Sequence, residues 1–244
     1  FPYQTLKDYY HKWYRPDLQG IIIVGDIDAD KTEKKLKEIF NTIPKPENAA
    51  ERIYYTVPDN KEPIIAIAKD KEATGSQVTV YYKHKPMTKE LKATIAGIAG
   101  IYLKSVTSMM LNDRLKEISE KPNAPFMSAY SYDANFIVSK TMDAFTTMAV
   151  SKEGETQKAL KALLQETERV NRFGFTESEY ERAKANLLSM IESMYKEREK
   201  QKNNSYVEEY VSHFTDGGSI CGIETDYMLL NKVAASTGIE QVNK

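Results

Sequence analysis

The first part of the chain passes through three different local structures in quick succession, and this constrains the fold most. Apolar residues from Tyr3 to Tyr14 recur at helical spacing, and Pro16 ends the predicted helix because the residue before a proline disfavours the α region. Gly20 to Val24 is short and rich in isoleucine, so it predicts a buried strand that ends at Gly25-Asp26. A second helix is predicted to begin near Asp28 or Asp30 and to run to Phe40, because its apolar residues share one face.

Prolines mark a change of organisation after this segment. They occur repeatedly between Thr42 and Asn60, a stretch with little apolar periodicity, which is typical of a linker. The sequence therefore predicts the end of one domain at residues 1–46, a linker at 47–62, and a complete second domain at 63–244.

The predicted second domain mixes strands with helices. Its strands are predicted over Pro63–Lys69, Gln77–His84, Phe126–Asp133 and Lys140–Val150. A helical region runs from Thr88 to about Ile118, with a break near the β-branched residues Val106 to Ser108. The remaining helices are predicted from Glu155 to Phe173, closed by Gly174; from Thr176, with Glu179 completing a capping box, past Arg198; and in short pieces after Gly218.

The charge balance excludes some classes of partner. Lys and Arg number 34 against 35 Asp and Glu, which leaves a formal net charge of −1. We therefore expect no nucleic acid partner and no binding to an anionic membrane surface. No apolar stretch approaches the roughly 20 residues that span a bilayer, so no membrane span is expected. The chain starts at Phe1, which suggests an excised piece, and the compartment stays open between periplasm and cytoplasm.

The residue types needed for metal or nucleophilic catalysis are sparse. The three histidines, His11, His84 and His213, lie far apart, whereas a zinc peptidase needs two on one helical face beside a glutamate. We therefore predict no metal ligand and no catalytic residue in this chain, although a site assembled from all three histidines is geometrically possible. The single cysteine, Cys221, lies in no nucleophile elbow and cannot form a disulfide within the chain.

Tyrosines recur on the predicted strands and allow two interpretations. Tyr130 and Tyr132 share one face of a strand, where aromatic side chains usually pack across the sheet. The same strand could equally bind an extended peptide by strand addition. The sequence leaves both possibilities open.

Four stretches, in order along the chain, resemble segments of the M16 (pitrilysin-like, or insulinase) zinc peptidases. The run His11–Asp28 resembles "YxPxNxxLxxxGD", and Asp26–Pro44 is similar to "GD-helix-F-x-x-(I/L)-P". Met109–Ile118 is similar to "LxxRLRE", and Phe175–Lys184 to "T-x-x-E-L-x-x-A-K". Together they extend over most of the chain.

The resemblance implies an α+β fold, in which a mixed, mainly antiparallel sheet is flanked by helices as in the LuxS/M16 metallohydrolases. It implies one complete non-catalytic domain plus the end of the preceding, metal-bearing domain of a larger, bacterial-type zinc protease. The family's His-x-x-Glu-His motif does not occur in this chain. Zinc is therefore expected in the parent protein and not in this segment, which alone should be inactive.

The resemblance also suggests substrate-binding residues. Arg114, Lys116, Phe126 and Tyr130 are the candidates, with Lys116 at the position where the family usually has an arginine. The alternative for Arg114 and Lys116 is a set of helix-surface ion pairs with neighbouring carboxylates. The implied partners are a peptide substrate and the remaining M16 domains of the same chain or of a paired subunit.

Two other functions remain compatible with the sequence. Some members of this superfamily are non-catalytic scaffolds or partner subunits of an active enzyme. A generic α+β interaction domain whose motif matches are accidental is the other alternative.

Overall fold

The computed structural model describes residues 1–244, and the chain divides into two compact units. Residues 1–53 and 199–220 form the first unit, and residues 54–198 and 221–244 form the second. The domain boundaries expected from the sequence, at 47–62, stay a prediction about the parent protein.

Helices dominate both units, and one small sheet lies in the second. The first unit contains α1 (Tyr3–Trp13), α2 (Ala29–Phe40) and α7 (Asn203–Asp216), with a short 3₁₀ turn at Pro16–Leu18. The second unit contains β1 (Ser76–His84), α3 (Lys89–Lys92), α4 (Ile95–Ser119), β2 (Ser128–Asn135), β3 (Asp143–Ser151), α5 (Thr156–Phe173), α6 (Glu177–Lys196), α8 (Ile223–Ser236) and α9 (Ile239–Val242). None of these helices combines the length and the apolar character that a membrane crossing requires.

Local capping sets several of the helix ends. The Asp28 side chain accepts a hydrogen bond from Lys31 N–H at the start of α2. Thr176 and Glu179 form the predicted capping box at the start of α6, and Gly174 follows α5 with a positive φ of 64°. These predicted helix boundaries are confirmed, because the residues that set them are neighbours in sequence.

Two predicted strands are wrong. Gly20 to Val24 and Pro63 to Lys69 are not hydrogen-bonded to any other strand. Their isoleucines are largely exposed, with Ile21 at 50% and Ile65 at 83%. A strand is stable only when a neighbour pairs with its backbone N–H and C=O groups, and neither segment has such a neighbour.

The predicted break in the long helical region lies elsewhere. It falls at Ala93-Thr94, where the Thr94 side chain accepts a hydrogen bond from Gly97 N–H and starts α4. The helix continues through Val106, which is fully buried. Tertiary packing therefore outweighs the modest helix penalty of the β-branched residues there.

The sheet is antiparallel, with the strand order β1–β3–β2. Helices α4 and α5 pack on it, and the predicted α+β class with a mainly antiparallel sheet is confirmed. A single core joins one sheet face to α4, α5, α6 and α8, and its largest fully buried side chains are Tyr102, Tyr180, Phe126, Met110, Leu111, Leu115 and Leu163. The hydroxyls of Tyr102 and Tyr180 lie 2.9 Å apart, and Tyr180 donates to Thr237 O at the end of α8. These bonds satisfy polar groups that burial would otherwise leave unpaired.

Candidate functional site

Aromatic side chains cover the sheet face opposite the core. The strand register places Thr146 of β3 between Tyr81 of β1 and Tyr132 of β2, so all three lie on one face. Tyr130 lies next to Tyr132 on the same face, and the two rings stack with centroids 6.0 Å apart. Phe136, just after β2, meets the Tyr81 ring edge-on at 5.3 Å. We call Tyr81, Tyr130, Tyr132 and Phe136 the tyrosine face.

The tyrosine face is only partly covered by the rest of the protein. Tyr81, Tyr130 and Tyr132 remain 41%, 43% and 39% exposed, while Thr146 beneath them is almost fully buried. The Tyr130 hydroxyl lies 3.8 Å from the sulfur of Met148, its partner in the register. The two tyrosines of β2 thus pack across the sheet and still offer a continuous aromatic surface.

The strand that carries these two tyrosines also lies at an edge of the sheet. β2 pairs with β3 on one side only. An edge strand offers unpaired backbone groups, which are what strand addition by a peptide requires. The two interpretations considered from the sequence, packing across the sheet and strand addition by a peptide, therefore concern the same strand.

Arg114 lies in the interior of the second unit. Its side chain is 8% exposed, and its Nε and Nη2 donate to the two carboxylate oxygens of Glu179 at 2.5 and 2.8 Å. Nη1 donates to Glu166 at 3.2 Å, and Nη2 also donates to Gly174 O at 3.1 Å. The guanidinium stacks over the Phe175 ring, with 4.6 Å between Cζ and the ring centroid. The planar guanidinium of Arg114 thus links α4 to α5 and α6, and it has no free surface with which to contact a peptide.

This network controls the ionisation of Glu179. The hydrogen bonds from Arg114, with smaller contributions from Thr176, lower the pKa of the Glu179 carboxyl from 4.5 to about 2. The same contact with Glu179 raises the pKa of Arg114. The pair is therefore fully charged at neutral pH.

A pH dependence of stability follows from the lowered pKa of Glu179. The ionised carboxylate is favoured in the folded state, so its contribution is complete above about pH 4.5 and is lost as the pH falls towards 2. The shift corresponds to about 3 kcal/mol. We expect the free energy of unfolding, measured by urea denaturation at several pH values, to fall across this window. In Glu179→Gln this part of the pH dependence should disappear, and an unchanged profile would contradict the assignment.

The other candidate residues occupy three different environments. Lys116 lies on the surface of α4, 73% exposed, with Nζ 4.0 Å from Glu120 in the kind of surface ion pair that the sequence allowed. Phe126 is fully buried in the core. Tyr130 belongs to the tyrosine face. The structure therefore brings none of the others next to Tyr130 on that face, and a substrate contact by these residues stays a prediction.

The histidines do not converge. His84 Nε2 lies 2.8 Å from an Asp133 oxygen, and the other Asp133 oxygen accepts from Lys104 at 2.6 Å. His213 Nδ1 contacts Gly218 O. No group of three His, Cys, Asp or Glu side chains could hold a metal ion. The residues of this chain therefore do not fit a catalytic zinc, and we assign no catalytic step to them.

Comparison with known proteins identifies the family. Residues 1–187 match the family model described as the peptidase M16 inactive domain. The chain belongs to the peptidase M16 family. The zinc protease PQQL-like protein of Arabidopsis thaliana is 27% identical to this M16 domain over 244 residues, which is all of the chain and 22% of that relative.

Solved structures show the same fold. The periplasmic protease PqqL from Escherichia coli superposes with a TM-score of 0.76 at 17% identity, over the whole chain and 26% of that protein. A predicted insulinase family protease from Yersinia pestis gives a TM-score of 0.78 at 13% identity, over 98% of the chain and 51% of that protein. The M16 domain thus spans roughly a fifth of the curated relative, whose name is that of a zinc protease.

Proposed function

We propose that this chain is a non-catalytic part of a larger zinc-dependent endopeptidase and forms one wall of its substrate chamber. The family match supports the first part of the proposal. The observation that carries the second part is the tyrosine face, a partly exposed aromatic surface on an otherwise packed sheet. Tyrosine offers a large, rigid contact area for the side chains of a peptide. Such a surface suits an extended peptide of varied sequence.

The chemistry of this surface favours apolar contacts over ion pairs. The outward residues of the three strands are hydroxyl, aromatic, small or apolar, apart from Gln77 and Lys83. Lys83 lies at one end, where Nζ donates to Pro58 O and sits 6.0 Å from the Phe136 ring. We therefore expect peptide affinity on this face to depend little on salt.

Lys116 remains the candidate for a basic contact to the peptide, because its ammonium group is exposed and weakly paired. We leave Arg114 and Phe126 out of the proposed contact surface, since burial gives neither side chain access to a peptide. The remaining M16 domains of the same chain, or of a paired subunit, would supply the zinc site and the opposite wall of the chamber.

Truncation of the tyrosines tests the proposed peptide contact. In the full-length protein, Tyr130→Ala and Tyr132→Ala should each raise KM for an unfolded peptide about tenfold, because each removes apolar contact area worth about 1–2 kcal/mol. Tyr130→Phe keeps the ring and should stay near the parent value.

Phe173→Ala is the matched control, because Phe173 is an exposed aromatic residue outside the tyrosine face. It should leave KM unchanged. An unchanged KM in the Tyr130→Ala/Tyr132→Ala double variant would refute the proposed contact.

A further inference from the structure

The side chain of Asn112, on α4, bonds the backbone of the edge strand β2. Its Nδ2 donates to Ser131 O at 3.0 Å, and its Oδ1 accepts from Ser131 N–H at 2.6 Å. The Ser131 hydroxyl also lies 3.1 Å from Oδ1. One amide group thus satisfies both the donor and the acceptor of a single strand residue.

The position of Ser131 in the ladder shows which side of β2 these bonds occupy. Phe136 N–H donates to Met142 O, across the β2–β3 pairing. In an antiparallel ladder the residues bonded to one neighbour alternate with residues whose backbone groups point away. Every second residue before Phe136, including Tyr132 and Tyr130, therefore directs its backbone N–H and C=O towards β3. The backbone N–H and C=O of Ser131 point the other way, to the open edge. Asn112 therefore occupies the place of a neighbouring strand.

We infer that Asn112 closes the β2 edge to strand addition. An added peptide strand would bond successive outward residues, namely Ala129, Ser131 and Asp133. Ser131, the middle one, is already bonded to Asn112, so the peptide would have to displace both of these hydrogen bonds. The inference rests on the proposed peptide binding and specifies its mode: the peptide is bound through its side chains on the tyrosine face and not through its backbone at this edge.

Under this inference Asn112 acts by occupying the backbone groups of Ser131 and does not itself contact the peptide. Removing its amide leaves Ser131 N–H and C=O unpaired at the edge of the sheet that faces away from β3, between two other outward residues that no strand covers. A bound peptide would then gain a row of backbone bonds in addition to its aromatic contacts. Asn112→Ala should consequently bind the peptide more tightly, and its affinity should come to depend on the backbone N–H groups of the peptide.

N-methylated peptides separate the two modes of binding. The probe is a fluorescein-labelled peptide of alternating leucine and threonine, with versions N-methylated at odd or at even positions. Binding is followed by anisotropy on the full-length protein, with chelator present to prevent hydrolysis. The parent protein should bind all three peptides alike. Asn112→Ala should bind the unmodified peptide about tenfold more tightly and lose that gain with one of the two methylated versions.

Two further variants control for altered packing. Asn112→Asp keeps an acceptor for Ser131 N–H but cannot donate to Ser131 O, so it should give an intermediate gain. Ser108→Ala, one turn earlier on α4, should behave like the parent. A parent protein already sensitive to N-methylation, or an Asn112→Ala variant with no gain in affinity, would overturn the inference.

Hydrogen exchange distinguishes a failure of this inference from a failure of the proposed function. If no peptide binds to any variant, the proposed function fails, and the Ser131 amide still reports on the edge. We expect Ser131 N–H to exchange more slowly than the N–H groups of Ala129 and Asp133 in the parent, and to lose that protection in Asn112→Ala. Equal exchange at all three positions in the parent would show that Asn112 does not close the edge.

Discussion

Arg114→Ala is expected to lower the free energy of unfolding of this chain by about 3–5 kcal/mol. The substitution leaves the carboxylates of Glu166 and Glu179 without their shared partner, in side chains that are 7% and 15% exposed. It also removes the bond to Gly174 O and the cation stacked on Phe175. Urea denaturation, followed by circular dichroism at neutral pH, measures the loss.

Arg172→Ala is the matched control for this prediction. Arg172 also pairs with a glutamate, Glu168, but its side chain is 67% exposed, so the variant should lose at most about 1 kcal/mol. Arg114→Lys should not restore stability, because an ammonium group cannot span two carboxylates and a carbonyl as the planar fork does. Equal losses in Arg114→Ala and Arg172→Ala would show that the buried network contributes no more than a surface pair.

Chelation of zinc is expected to abolish peptide hydrolysis by the full-length protein and to leave peptide binding by this domain unchanged. Zinc in such peptidases makes its bound water nucleophilic, so turnover should fall to the uncatalysed rate without it. The tyrosine face contains no metal ligand, so the anisotropy signal of a bound peptide should persist. Added zinc should restore turnover.

The same measurement separates the competing functions. The 244-residue chain alone should show no turnover with or without zinc. Robust zinc-dependent hydrolysis by the isolated chain would contradict the assignment. A full-length protein that binds peptide but never hydrolyses it would instead indicate a non-catalytic scaffold subunit.

Arg114 shows which features of the candidate site could be predicted from the sequence and which could not. The motif around it drew attention to this position, and the two alternatives considered there were a substrate contact and a surface ion pair. Its actual partners, Glu166 and Glu179, lie more than one helix away along the chain. Sequence spacing identifies helix-surface pairs, such as Lys116 with Glu120, but not pairs between helices that meet only in the folded core.

The tyrosine face was likewise only partly predictable from the sequence. Alternation along β2 placed Tyr130 and Tyr132 on one face, because side chains alternate along any strand. The addition of Tyr81 depended on the strand order β1–β3–β2, since β1 and β2 contribute to one surface only through β3. The role of Asn112 could not be predicted from the sequence either, because it depends on the packing of α4 along the β2 edge.

The sequence by itself determined the helix boundaries at Asp28, Gly174 and Thr176, the approximate positions of the three sheet strands, and the family. These features depend on residues within a few positions of each other, or on motifs read in order. The tertiary structure alone decided that the isoleucine-rich segments 20–24 and 63–69 stay outside the sheet, where Arg114 pairs, and which edge of the sheet is closed. The physical reason is that a strand, a buried ion pair and a covered edge each need a partner from elsewhere in the chain, and only folding specifies that partner.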